Sequence, residues 1–116
     1  MQNTNVQYDA VVNSCKLVFI KKNTDYGTAW RVLRTISVVD QIFIKALRIK
    51  TIQDKKTQLI DDNIWDEFKG IINYGIIGLI QLEMEDAKVE ELPIEIVEEQ
   101  YSKQINFAKS TMQNKN

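Results

Sequence analysis

The sequence predicts an all-α protein, a bundle of about four helices with a short helical turn near Trp30. Apolar residues recur at intervals of three and four in four separate stretches, the period of a helix that lays one face on a core. Only four glycines and one proline interrupt 116 residues, so the chain has few places to turn and its helices must be long. That length gives one domain, large enough to bury a core and too small for two.

The first helix spans about Asn5 to Lys22, where Tyr8, Val11, Val12, Cys15, Val18 and Phe19 form the stripe. It should stop at Asn23-Thr24-Asp25-Tyr26-Gly27, because Asn and Gly tolerate left-handed backbone and Asp bonds the amides ahead of it. Thr28 to Thr35 mixes apolar Ala29, Trp30, Val32 and Leu33 with Arg31 and Arg34, which lie three apart and share one face of a short turn. Ser37-Val38-Val39-Asp40 has the spacing of a capping box, so a second helix is expected from Val38 to about Asp54. Its apolar residues cover most of the circumference, as in a buried helix. Gln41, Lys45 and Arg48 interrupt them in a single polar stripe. Two cations there must meet solvent, carboxylates or an anionic ligand.

After a polar connector, Asp61-Asp62-Asn63 offers an N-cap and negative charge to a third helix, expected from Ile64 to about Glu85. Its densest run, Gly70 to Leu82, is too short for a membrane span and reads as core. Gly70, Gly75 and Gly78 each cost about 1 kcal/mol of helix propensity relative to Ala, a cost that close approach of another helix would offset. Asp66, Gly70 and Asn73 share one face of this helix, Glu67 and Tyr74 the next. Seven acidic residues follow Glu83 up to Glu99, with Pro93 among them, which suggests a solvated linker and then a fourth helix carrying Val97, Tyr101, Ile105, Ala108 and Met112.

Composition limits the function. Lys and Arg number 15 against 16 Asp and Glu, so the overall field favours neither nucleic acid nor a membrane as partner. The single Cys15 rules out an internal disulfide and fits a reducing compartment. The absence of histidine excludes histidine bases and histidine metal sites. Met1 to Asn5 is polar, without the apolar segment of a signal peptide, so a cytoplasmic location is expected.

A repeat connects the two ends. Shifting the chain by 93 residues sets Tyr8 on Tyr101, Asn13 on Asn106, Lys16 on Lys109, Lys22 on Lys115 and Asn23 on Asn116, five identities in sixteen positions where chance gives about one. The chain is therefore read as a first unit, 1–85, followed at 86–116 by an acidic linker and the first helix of a truncated second unit that packs on the first.

Three ordered blocks, Lys22-Asn23-x-Asp25-Tyr26-Gly27-x-x-Trp30-Arg31, Ser37-x-x-Asp40-x-x-x-x-Lys45-x-x-Arg48-Ile49 and Ile72-Asn73-Tyr74, resemble the nucleotide modification associated domain 1 family, a domain of unknown function. Members often carry two copies of the unit. The Lys-x-x-Arg helix is more distantly similar to MazG-type all-α nucleoside triphosphate pyrophosphohydrolases, which hold Mg²⁺ on clustered carboxylates. Here Glu90-Glu91 and Glu98-Glu99 lack the third carboxylate of that pattern, and Gly70 stands four before Tyr74, where relatives tend to place Asp.

The resemblance implies a domain that binds a nucleotide or other phosphorylated small molecule, or a degenerate MazG-like phosphohydrolase. Its candidate binding residues are Lys22, Asp25, Tyr26, Trp30, Arg31, Lys45, Arg48, Asn73 and Tyr74. Lysine and arginine would hold phosphate oxygens, and Tyr26 and Trp30 would stack on a base. Asp25, Asp40 and Glu67 would take a sugar hydroxyl or one Mg²⁺ through water, with Asp40 and Glu67 as the candidate metal pair and Mg²⁺ as the candidate cofactor. The same residues fit a structural reading: Trp30 and Tyr26 as core anchors, Asp25 and Asp40 as caps, and Lys45 and Arg48 paired with Glu67 or Asp66. In that case the chain is a non-catalytic helical interaction module. Its apolar second and third helices suggest a homodimer.

Overall fold

The computed structural model describes residues 2–55, 61–84 and 92–115, with all their side chains except those at 2, 3, 26, 55, 61–63 and 115. Four helices, α1 (Gln2–Tyr26), α2 (Thr35–Lys55), α3 (Asp61–Glu83) and α4 (Ile94–Lys115), form an all-α bundle with a 3-10 turn at Ala29–Val32. The third helix is the central element and packs against the other three, while α1 also packs on α4. Among the described residues no helix is long and apolar enough to cross a membrane.

The core takes one side chain stripe from each helix. Val12 and Phe19 of α1, Val38 of α2, Ile76, Ile77 and Ile80 of α3 and Val97, Tyr101 and Ile105 of α4 are buried together. Burying an Ile or Val side chain contributes about 1.5–3 kcal/mol, so this cluster supplies most of the driving force. The Tyr101 ring stacks at a tilt on Phe19, with centroids 4.8 Å apart, and Phe19 in turn touches Trp30 at 6.0 Å.

The helix boundaries differ from those read in the sequence, and each difference has a physical cause. The expected turn at Asn23 to Gly27 is instead the last turn of α1, closed by Gly27 alone at φ 68° with its amide on the Asn23 carbonyl at 2.7 Å. Asn23 stays helical because it is buried and its Oδ1 accepts the Trp30 indole N–H at 3.2 Å. The second helix begins at Thr35, ahead of Ser37, since the Val38 amide already bonds the Arg34 carbonyl. Ser37 and Asp40 thus lie inside the first turns of α2, and the capping box does not set its start. Asp61 to Asn63 lie inside α3, which ends at Glu83. Pro93 precedes α4 and its carbonyl accepts the amides of Ile96 and Val97.

Two of the glycines on α3 accommodate α2. A Cβ on Gly70 would meet the Lys45 stem at 2.7 Å, and one on Gly78 would touch Val38 at 3.4 Å, while Gly75 faces no atom within 4 Å. The expectation that α2 is buried nearly all round is not met: Val38 and Ile49 are buried, but Phe43, Val39, Leu47 and Ile44 remain between 40 and 62 % exposed. Among the described residues the extensive packing of α2 is with α3.

The first and last helices run antiparallel and exchange matching contacts. Lys109 pairs with Asp9 at 2.9 Å and Lys16 donates to the Ser102 hydroxyl at 3.1 Å. Under the 93-residue shift Lys16 corresponds to Lys109 and Asp9 to Ser102, so the two contacts join the same two pairs of related positions.

Candidate functional site

A partly open cavity of about 240 Å³ lies among α1, the 3-10 turn, α2 and α3. Lys22 and Asn23 come from the last turn of α1, Trp30 from the 3-10 turn, Lys45 from α2, and Asp66, Lys69, Gly70, Asn73 and Tyr74 from α3. On α3 these residues stand at i, i+3, i+4, i+7 and i+8, one stripe of a helix whose other positions are mostly apolar. Three lysines and one aspartate are among the lining residues, a net positive set, and Phe19, Trp30 and Tyr74 add aromatic side chains.

Each wall is fixed from behind. Asn73 is 8 % exposed; its Nδ2 donates to the Cys15 carbonyl of α1 at 3.1 Å and its Oδ1 accepts the Tyr101 hydroxyl of α4 at 2.8 Å. Burial pushes the phenol of Tyr101 well above its ordinary value, which keeps it a hydroxyl donor to Asn73. Burial likewise raises the Cys15 thiol, an effect that the nearby Lys69 ammonium partly opposes. The 3-10 turn is tied down by Gln81, whose Nε2 donates to the carbonyls of Arg31 and Leu33 at 2.8 Å and of Trp30 at 3.2 Å, while its Oε1 accepts from the Arg31 guanidinium. Thr28, also buried, accepts the Leu92 amide on its hydroxyl.

Lys45 is the pivot of the cavity. Its stem lies over Gly70, its ammonium is 3.8 Å from Glu67 and sits 5.7 Å from the Tyr74 ring centroid. Arg48 reaches the other oxygen of Glu67 at 3.5 Å. The Lys45 and Glu67 side chains are 17 and 18 % exposed, whereas Arg48, a candidate binding residue, is 59 % exposed and lies outside the cavity lining.

Of the candidate residues, Lys22, Trp30, Lys45, Asn73 and Tyr74 are brought together around the cavity. Arg31 is buried and bonded to Gln81, outside the lining, and Asp25 and Asp40 are exposed elsewhere. The Tyr26 side chain lies outside the described residues, as do Glu90 and Glu91. Glu67 is committed to two cations, and among the described residues no group of three or more Asp, Glu or Cys stands close enough to hold a metal ion. Asp40 and Glu67, the expected metal pair, belong to no such group. Two residues were not foreseen. Lys69 was legible as the i+3 member of the Asp66 and Asn73 stripe; Gln81 acts on backbone carbonyls, which leave no trace in a sequence.

A family model described as nucleotide modification associated domain 1 matches residues 22–82, more than half of the chain and the segment that supplies nearly every wall of the cavity. No curated protein and no solved structure matches the chain.

Proposed function

The chain belongs to the nucleotide modification associated domain 1 family, and from that premise we propose that it binds a nucleotide in the cavity among α1, α2 and α3. The observation that carries the reading is the lining itself: Lys22, Lys45 and Lys69 against the single carboxylate of Asp66, beside the rings of Trp30 and Tyr74. Ammonium groups suit phosphate oxygens, and an indole or phenol face suits a base. Asn73 supplies a buried amide at the floor. Closed small-molecule pockets hold about 300–1,000 Å³, so a nucleotide would fill this partly open cavity with one end and leave the other in solvent.

The reading is one of binding without hydrolysis by this unit, because the carboxylate placed closest to Lys45 is neutralised by Lys45 and Arg48. A degenerate phosphohydrolase would look the same at this site. The Lys45, Glu67 and Arg48 network also favours a second reading, a non-catalytic interaction module in which these charges only seat α2 on α3.

Thermal unfolding with and without a panel of nucleotides, Mg²⁺ present and absent, separates the two. At a concentration of 100 times Kd a ligand stabilises by about 2.7 kcal/mol, a rise of about 10 °C in a domain of this size. Lys69→Met should weaken binding about 10- to 150-fold, the range for a lost charge-assisted bond of about 1.5–3 kcal/mol, and leave the unliganded Tm unchanged. No shift with any nucleotide, together with destabilisation by Lys45→Met, would leave only the second reading.

A further inference from the structure

We propose that the face formed by α2 and α3 on the side away from α1 is a homodimer interface, occupied by the same face of a second copy. This goes beyond the nucleotide reading and does not depend on it. Ile44 and Leu47 of α2 and Trp65 and Phe68 of α3 are 40, 46, 62 and 47 % exposed. The contacts of Gly70 with Lys45 and of Glu67 with Arg48 set the register of the two helices and bring Leu47 level with Phe68. A shallow groove on this face is lined by Ile44, Leu47, Arg48, Thr51 and Ile52 of α2 and by Glu67 of α3. Beyond it Gly75 leaves open space over α3.

A second copy is the occupant that the surface area supports. The chain exposes 8320 Å², where a folded monomer of 13.5 kDa exposes about 6,500 Å². The difference, about 1,800 Å², falls within the range that each member of an obligate dimer hides, about 1,000–2,500 Å². The radius of gyration agrees: 15.2 Å, against about 13.4 Å for a compact domain of this length. Net charge is −1, so two copies meet without appreciable repulsion. Leu47 lies two residues, about 200° of helix, from Lys45, so pairing through this face leaves the nucleotide cavity open.

Sedimentation equilibrium on the full chain at micromolar and higher concentrations tests this. The expected mass is twice 13.5 kDa. Leu47→Asp with Phe68→Asp should return it to the single-chain value with unchanged far-UV circular dichroism, and Leu17→Asp, at a residue 72 % exposed on α1, should leave the dimer intact. Should the double variant lose helix, tryptophan emission in the unmodified chain gives the second reading: the Trp65 contribution, over a Trp30 background that concentration does not change, should shift to the blue as concentration rises. A single-chain mass at every concentration, a dimer that survives the double substitution, or a Trp65 spectrum independent of concentration would each overturn the proposal.

Discussion

Replacing Gln81 by Leu removes the side chain that holds the 3-10 turn to α3. Two good carbonyl bonds at 2.8 Å, a longer one at 3.2 Å and the bond from the Arg31 guanidinium vanish together. Each lost neutral bond costs about 1 kcal/mol and the charged one about 1.5–3 kcal/mol, while the apolar Leu side chain returns part of that, which leaves a net loss of about 3 kcal/mol. For a domain of this size the Tm should fall by about 10 °C. Trp30 belongs to the released turn, so in a Trp65→Phe background its emission should shift to the red before global unfolding. Gln81→Glu should be nearly as damaging, because it keeps the partner of Arg31 and turns an anion toward the carbonyls of Arg31 and Leu33. A Tm within about 2 °C of the unmodified chain, with Trp30 emission unaltered, would refute the reasoning and show that other contacts, the ring packing on Phe19 and the indole bond to Asn23 among them, hold the turn.

Gly70→Ala gains about 1 kcal/mol of helix propensity but forces the Lys45 stem back by about 0.8 Å to reach ordinary carbon contact, at a side-chain cost of about 0.5–1.5 kcal/mol. Its Tm should therefore stay close to that of the unmodified chain while nucleotide affinity falls about tenfold, as a calorimetric titration would read; equal affinity would place Lys45 outside the ligand's reach. Glu83 is held below its usual carboxylate range first by its bond from Lys103, with Gln104 assisting. The advantage of the unmodified chain over Glu83→Gln should be present in full above pH 4.5, the unfolded value, and fade as pH falls through the lower folded one. Urea unfolding at stepped pH checks this, and a gap that widened in acid would contradict it.

Helical periodicity was enough to read the architecture, because every helix places its stripe on one shared core: Val12 and Phe19, Val38, Ile76 and Ile80, and Tyr101 and Ile105 all occupy it. The ends of the helices were less legible. Asn23 looks like a breaker in isolation, yet burial and the Trp30 indole hold it in helix, and only Gly27 breaks the chain. Around the cavity, Lys22, Trp30, Asn73 and Tyr74 were picked out by the blocks shared with the family, and Lys45 also by the polar stripe it makes on an apolar helix. Arg31 looked equally available, and it is bound by Gln81, fifty residues away in the chain. Neither that pairing nor the exposure of Phe43 and Leu47 follows from local pattern, since an all-round apolar helix can be finished by its own chain or by another.

Asn73 is at once the floor of the cavity and a tie that joins α1, α3 and α4. The floor cannot loosen without pulling two other helices out of the core, so its amides should exchange with solvent only through global unfolding. The base of the cavity is thus built before any ligand arrives. A ligand seated there would spend little of its binding free energy on ordering the protein beneath it.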